Sequence, residues 1–217
     1  MIHITPLLLA AGYSVLTAAA GPATADHAPI PAAEISSISA SEERSPAGSA
    51  TAAAPETGAL TLYTSLTQRT LYVRIGDSVA ATYPVAIGKD DHATPTGTFT
   101  IRKIVWNPGW VPPRSPWARG KTAKPPGHPE NPMKLVKIFF REPDYYIHGT
   151  SEYESLGSAA SHGCLRMLPD EAAEIAKWLM EHGGNPKPES WFQRIMRFRS
   201  EEHVLYLQNP ITLTIEQ

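Results

Sequence analysis

The sequence predicts a mostly β domain of the α+β class that carries one or two helices. Short segments of alternating apolar and polar residues recur along the chain, turn-forming residues separate them, and one segment has a clear helical pattern. The 217 residues include 21 Pro and 15 Gly and only 18% are charged, which argues against a helical bundle or a coiled coil. With 42% hydrophobic residues, the chain can form a sizeable core.

The N-terminal region has the composition of an export signal. Residues 4–20 are almost entirely apolar and the small residues Ala23-Thr24-Ala25 follow, so we expect a signal peptide at 1–25 with cleavage before Asp26. An uncleaved anchor or a buried helix is the alternative, although this segment contains Pro6 and is shorter than the ~20 residues of a spanning helix. We therefore expect an exported protein of the periplasm or cell wall, tethered to the membrane if the signal stays uncleaved.

Residues 26–58 are rich in Ala, Ser, Pro and Thr and contain no aromatic residue. Such a segment buries too little apolar surface to compensate for the entropy lost on ordering, so the sequence predicts a disordered linker. It is either a tether that holds the domain away from the membrane or wall, or a simple spacer. The folded domain is predicted over 59–217.

The predicted strands begin at the start of this domain. Two strands are joined by a short turn, and Gly76-Asp77 leads into a third strand, which Pro84 places at a sheet edge or bulge. The predicted strands are 60–65, 70–75, 79–87, 97–105, 134–140, 145–148, 204–207 and 211–215.

A helix is predicted over Pro169–His182. Proline in the first turn, the acids Asp170, Glu171 and Glu174 near the positive end of the helix dipole, and Gly183-Gly184 at the stop all agree with these bounds. A second, shorter helix is predicted at 190–199.

Charge and cysteine content exclude several function classes. The 19 basic and 21 acidic residues give a net charge of −2, which argues against a nucleic-acid binder held by phosphate contacts. The single cysteine, Cys164, excludes an intramolecular disulfide framework. His92, His128 and His162 lack the paired spacing of structural zinc sites, so no metal is predicted. A monomer is the expected state.

The densest chemistry lies between Tyr145 and Met167. A cysteine nucleophile needs its thiolate, and His148 is close enough in sequence for the intervening loop to bring its imidazole to Cys164. Gly163 permits a tight turn in which successive N–H groups point at one spot, as an oxyanion hole requires. The alternative for Cys164 is a buried, inert thiol.

The run Ile147-His148-Gly149-Thr150 followed by Ser161-His162-Gly163-Cys164-Leu165-Arg166-Met167 resembles the signature of the L,D-transpeptidase catalytic domain. Pro84–Lys89 and the Thr94–Phe99 turn resemble the same family, so the similarity covers roughly 60–215. Leu165 replaces the more usual Ile or Val, and the 107–131 segment is unusually long and rich in proline.

The resemblance implies a β-sandwich-like fold, Cys164 as nucleophile and His148 as proton acceptor and donor. It also implies that the Gly149 carbonyl orients His148, and that Ser161, His162, Gly163 and Arg166 build and brace the site. The implied reaction is acylation of the cysteine by a peptidoglycan stem tetrapeptide, release of D-Ala and transfer to an amine. It needs no cofactor, and carbapenem-type β-lactams are the expected inhibitors.

A substrate lip is predicted from aromatic and basic residues near this motif, namely Trp106, Trp110, Arg114 and Tyr146. Residues 92–129 contain no acidic residue but several cations, which suits substrates that carry carboxylates. The tryptophans lie among prolines, as in a stiff lid or saccharide platform. Ordinary loop packing and an uneven solvated surface are the alternatives.

Three other functions remain open. A carboxypeptidase or amidase would use the same Cys164 and His148, with water in place of the amine acceptor. A non-catalytic wall-binding module would need neither residue. A papain-like protease would place its cysteine near the mature N-terminus and its histidine well downstream, which is the reverse of this order.

Overall fold

The computed structural model describes residues 58–217. The predicted signal peptide at 1–25 and the predicted linker at 26–58, except Gly58, lie outside the described residues. Within 58–217, no helix has the length and apolar character needed to cross a membrane. The prediction of a mostly β fold with one or two helices is confirmed, and the number of α-helices is two.

The described part of the chain contains ten strands and two α-helices. The strands are β1 (Leu60–Ser65), β2 (Thr70–Ile75), β3 (Ser78–Pro84), β4 (Ile87–Gly88), β5 (Gly97–Trp106), β6 (Val136–Arg141), β7 (Tyr145–Gly149), β8 (Ala159–Ser161), β9 (Leu165–Met167) and β10 (His203–Glu216). The helices are α1 (Pro169–His182) and α2 (Glu189–Arg197).

Eight strands form one sheet in the order β3-β2-β1-β10-β5-β6-β7-β9, and β4 pairs with β8 in a second sheet. In the large sheet, β1 pairs with β10 and β7 with β9 in parallel, whereas the other neighbours are antiparallel. The short strand β9 lies at an edge, so the residues just before it adjoin the end of β7.

Helix α1 covers one face of the sheet. Its apolar residues Ile175, Ala176, Leu179 and Met180 are fully buried among core strand residues. Pro169 occupies the first helical turn and the Gly183 N–H donates to the Leu179 carbonyl at the other end, so local signals fix both bounds as predicted.

Two strand predictions are corrected by the structure. The predicted strand at 79–87 divides after Pro84, since proline lacks an N–H, and Val85 donates to the Arg69 carbonyl before β4 joins the second sheet. The two strands predicted at 204–207 and 211–215 form the single strand β10, with a register shift between Tyr206 and Ile211. The short strands β8 and β9 carry no clear sequence signal.

Candidate active site

A cleft of about 1260 Å³ opens beside the ends of β6, β7 and β9, bordered by the loop at 107–131. It exceeds the roughly 300–1,000 Å³ of typical small-molecule pockets. Cys164, His148 and Arg166 line the cleft together with Ser161 and His162, so the sequence motif converges on one cavity.

The parallel pairing of β7 and β9 places the two reactive side chains on one face. His148 pairs with Arg166 and Ile147 with Leu165, so Cys164 immediately precedes the paired segment opposite Tyr146. Alternate residues of a strand share a face, and both Ile147 and Leu165 are buried in the core. Cys164 and His148 therefore face the cleft from adjacent strands.

His148 is buried and its tautomer is fixed by the backbone. Its Nδ1 lies 2.8 Å from the carbonyl oxygen of Gly149, and a carbonyl can only accept, so Nδ1 carries the proton and Nε2 keeps its lone pair. Burial lowers the pKa of His148 to about 3, and the positive charges of Arg166 and Lys137 act in the same direction. The imidazole is therefore neutral at pH 7.

Cys164 is protonated in the same environment. Burial raises the pKa of its thiol to about 11, although Tyr146, Arg166 and Lys137 act to lower it. The thiol donates to the carbonyl oxygen of Asp144 at an S···O distance of 3.3 Å. Among the described residues, no hydrogen bond joins this thiol to the His148 ring, so the resting pair consists of two neutral groups.

A tight turn presents Cys164 to the cleft. The Ser161 hydroxyl donates to the Cys164 carbonyl oxygen at 2.6 Å and accepts the Gly163 N–H at 3.0 Å. Gly163 has a φ of 104°, and a Cβ at this position would lie 2.7 Å from Cε1 of Tyr145. The turn thus requires glycine, and the Gly163 N–H is already used within it.

Gly149 is also required by close packing. A Cβ there would lie 2.7 Å from Cα of Pro169, the first residue of α1. This glycine supplies the carbonyl that orients His148, so the start of α1 supports the imidazole through the Gly149 backbone.

Arg166 and His162 flank Cys164 in the cleft. An Arg166 guanidinium nitrogen lies 2.6 Å from a carboxylate oxygen of Glu152, an arrangement that braces the segment after β7. The His162 ring stacks on Trp117 with 3.9 Å between ring centroids and contacts His92 at 4.9 Å. Burial lowers the pKa of His162, and the charges of Lys89 and Arg166 add to this effect.

The structure places three of the four predicted lip residues in the cleft. Trp110, Arg114 and Tyr146 line the cleft, and Trp110 pairs with Lys124 in an isolated antiparallel bridge within the loop. Assigning Trp106 to the lip was wrong, because this side chain is 1% exposed.

Trp106 belongs to the core instead. Its Nε1–H donates to the Met180 sulfur at 3.2 Å, and its ring packs edge-on against Phe192 with 5.3 Å between centroids. The end of β5 therefore anchors the loop at 107–131 rather than lining the cleft.

Several charged groups of the cleft were not predicted from sequence. Lys137 lies on β6 directly opposite His148, while Glu152 and Glu202 supply carboxylates. The available sequence signal for Lys137 was a single charge between the apolar residues Val136 and Ile138 of a predicted strand. Within 58–217, no group of three or more His, Cys, Asp or Glu residues is arranged to hold a metal ion.

A thiol and an oriented, neutral imidazole in one cleft define a cysteine-dependent enzyme class. The family described as YkuD, the L,D-transpeptidase catalytic domain, matches residues 61–187. The chain belongs to this family, and the resemblance inferred from the sequence motif is confirmed.

Curated relatives bear L,D-transpeptidase names. Bacillus subtilis YqjB is 34% identical over 120 residues, covering 52% of this chain and 63% of that protein. Bacillus subtilis YkuD is 31% identical over 112 residues, covering 52% and 56% respectively. The match thus spans somewhat over half the length of these relatives.

Among solved structures, an L,D-transpeptidase from Mycobacterium smegmatis has 18% identity and a TM-score of 0.47, covering 73% of this chain and 58% of that chain. L,D-transpeptidase 3 from Mycobacterium tuberculosis, in complex with a faropenem-derived adduct, has 14% identity and a TM-score of 0.45, covering 73% and 60%. These likenesses are remote, and family membership follows from the sequence match.

Proposed function

We propose that this chain is a peptidoglycan L,D-transpeptidase that forms a thioester at Cys164 and transfers the acyl group to an amine. The observation that carries the proposal is the placement of Cys164 and His148 on one face of β7 and β9, within a single cleft. Family membership supports the same reaction. The Gly149 carbonyl leaves Nε2 of His148 as the basic nitrogen.

In the first step, Sγ attacks the carbonyl carbon of the third stem residue while Nε2 of His148 takes the thiol proton. Since both groups are neutral at rest, proton transfer accompanies the attack rather than preceding it. Substrate entry would move the thiol hydrogen bond from the Asp144 carbonyl to Nε2. The Cys164 N–H is the proposed oxyanion donor, because the Gly163 N–H donates to Ser161.

Collapse of the tetrahedral intermediate breaks the amide bond, and His148 returns its proton to the departing amine of D-Ala. In the second step, an acceptor amine attacks the thioester, His148 takes the amine proton, and the Cys164 thiolate leaves and receives that proton from His148. Water in place of the amine would give a carboxypeptidase.

The cleft suits a large, anionic substrate. Its volume of about 1260 Å³ can hold a branched peptide, and Arg114 and Lys121 of the bordering loop place cations beside it. Stem peptides end in carboxylates, which such cations attract. Lys124 contributes less charge because it pairs with Glu130 at 2.6 Å.

Mass spectrometry of the purified chain incubated with disaccharide-tetrapeptide tests the proposal, with Cys164→Ala as the control. A cross-linked dimer that has lost one D-Ala and is absent from the control supports transpeptidation. Tripeptide monomer alone would identify a carboxypeptidase. An unchanged substrate in both samples would favour a wall-binding module.

We further propose that a carbapenem opens its β-lactam ring on Cys164, because the strained amide carbonyl reacts with the same nucleophile. An increase in intact protein mass equal to the mass of the drug, absent in Cys164→Ala, is expected.

The proposed location is the periplasm or cell wall, where the enzyme cross-links or remodels the wall as a monomer. N-terminal sequencing of the exported protein should begin at Asp26 if the signal is cleaved, and size-exclusion chromatography tests the oligomeric state.

A further inference from the structure

Lys137 is a cation that the proposed reaction leaves without a role. It lies on β6 between Val136 and Ile138, both fully buried, and pairs directly with His148 across the β6–β7 register. It therefore shares the cleft-facing side of the sheet with the imidazole. A lysine at such a position loses hydration, which is costly unless its charge is used or compensated.

Neutral groups hold the Lys137 ammonium in place. Its Nζ donates to the Gly109 carbonyl oxygen at 2.9 Å and lies 5.1 Å from the ring centroid of Tyr146. The Gly109 N–H in turn donates to a carboxylate oxygen of Glu202 at 2.8 Å. Among the described residues, no salt bridge joins Lys137 to a carboxylate.

The charged and titratable groups around Lys137 come from several strands. Glu202 precedes β10, Lys103 is on β5 and Cys164 precedes β9. Burial lowers the pKa of Lys137, and Lys103 acts in the same direction, whereas Glu202 and Cys164 raise it. The Glu202 carboxylate thus favours the charged ammonium, and so does Cys164 once it becomes a thiolate.

One positive charge at this place affects both reactive groups. Lys137 lowers the pKa of Cys164, which favours the thiolate, and it also lowers the pKa of His148, which favours the unprotonated imidazole while making it a weaker base. Arg166 acts in the same directions, but its charge is paired with Glu152 at 2.6 Å. Lys137 donates to a neutral carbonyl, so its charge is less compensated.

We propose that Lys137 is a positioning residue whose ammonium, held by the Gly109 carbonyl, stabilises the negative charge that forms on Cys164. It acts across the Tyr146 ring, which lies next to both Lys137 and Cys164. The reaction it assists is the proposed acyl transfer, but its effect on the thiol exists whether or not that transfer occurs.

Alkylation with iodoacetamide tests this inference directly, because Cys164 is the only cysteine in the chain. The rate is measured by intact mass between pH 7 and the alkaline limit of stability for the full chain. The neutral variants Lys137→Gln and Lys137→Met should react about three- to tenfold more slowly at pH 7, since about one pKa unit changes the thiolate fraction tenfold. Lys137→Arg should restore the wild-type pH profile.

Two controls separate charge from loop packing. Lys103→Met removes a lysine that lies 4.7 Å from the Phe139 ring and pairs with Glu142, so its profile should stay close to wild type. Glu202→Gln weakens the hold on the Gly109 N–H while leaving the ammonium, and it should not slow alkylation.

The inference is overturned if folded Lys137→Gln or Lys137→Met alkylates as wild type does, or if Glu202→Gln reproduces their slowing. Circular dichroism establishes that each variant is folded. The charge-retaining Lys137→Arg gives an independent test, because failure to restore the profile would also contradict a charge effect. If the neutral Lys137 variants alkylate more slowly but the wild-type chain forms no cross-linked product, the proposed transpeptidase function is refuted and the inference about Lys137 stands.

Discussion

The Ser161 hydroxyl closes the turn that carries Cys164 by donating to the Cys164 carbonyl oxygen at 2.6 Å. The Ser161 hydroxyl oxygen also accepts the Gly163 N–H at 3.0 Å, so one buried side chain satisfies two backbone groups around Cys164. The orientation of the thiol therefore depends on a residue that does not itself react.

Ser161→Ala should destabilise the protein by about 1–3 kcal/mol, because it leaves a buried donor and a partly buried acceptor without partners. Acyl transfer should also slow, since the turn no longer fixes Cys164. Urea unfolding and product mass spectrometry measure the two effects. Ser158→Ala is the matched control, because its hydroxyl bonds the Ser155 carbonyl from a partly exposed position. Equal losses in both variants would contradict this account of the turn.

Gly163→Ala should cost at least about 2 kcal/mol, because it combines the strain of a positive φ with a steric clash. The φ is 104°, and the added Cβ would lie 2.7 Å from the Tyr145 ring. Gly157→Ala separates the two effects, since Gly157 has a φ of 74° and nothing within 4 Å of an added Cβ. Urea denaturation compares them, and similar losses would show that the Tyr145 contact is unimportant.

Features determined by local signals were predictable from the sequence. The bounds of α1 were predicted correctly because Pro169, the acidic first turn and Gly183 each act within the helix itself. The family motif was recognised because Cys164 and His148 lie in one short segment of sequence.

Features determined by distant contacts were not predictable. Trp106 precedes a proline-rich loop, and only its packing against Phe192 and Met180 places it in the core. The continuity of β10 depends on pairing with β5 on both sides of its register shift, whereas the sequence predicted two separate strands. Lys137 reaches the site through a strand register that the sequence alone does not specify.

Trp117→Ala should raise the pKa of His162 toward its usual value, because the stacked indole helps to bury this imidazole. The His162 ring signals in a pH titration by NMR measure the change. Trp117→Phe is the matched control, since a smaller aromatic ring can still cover the imidazole. An unchanged His162 titration in Trp117→Ala would show that other contacts, such as His92, account for its burial.

Stability should fall on acidification because His148 is buried in its neutral form. Its pKa is about 3 in the folded protein against an ordinary value of 6.5, so the unfolded chain binds the proton more readily between these values. The contribution is complete above pH 6.5 and is lost as the pH falls toward 3, at up to about 1.4 kcal/mol per pH unit. His162, whose pKa is also lowered, adds a loss of the same sign.

Urea unfolding from pH 7 to pH 4 isolates the His148 contribution when wild type is compared with His148→Gln. The variant should be less stable at pH 7, because it disturbs the contact with the Gly149 carbonyl. Its stability should nevertheless decline less steeply, because it has lost one group that takes up a proton on unfolding. His182→Gln provides the matched control, since this histidine is exposed at the end of α1 and the same substitution there leaves the His148 imidazole in place. Parallel slopes for wild type and His148→Gln would mean that folding does not lower the pKa of His148, which would contradict the account of a buried imidazole held neutral in the cleft.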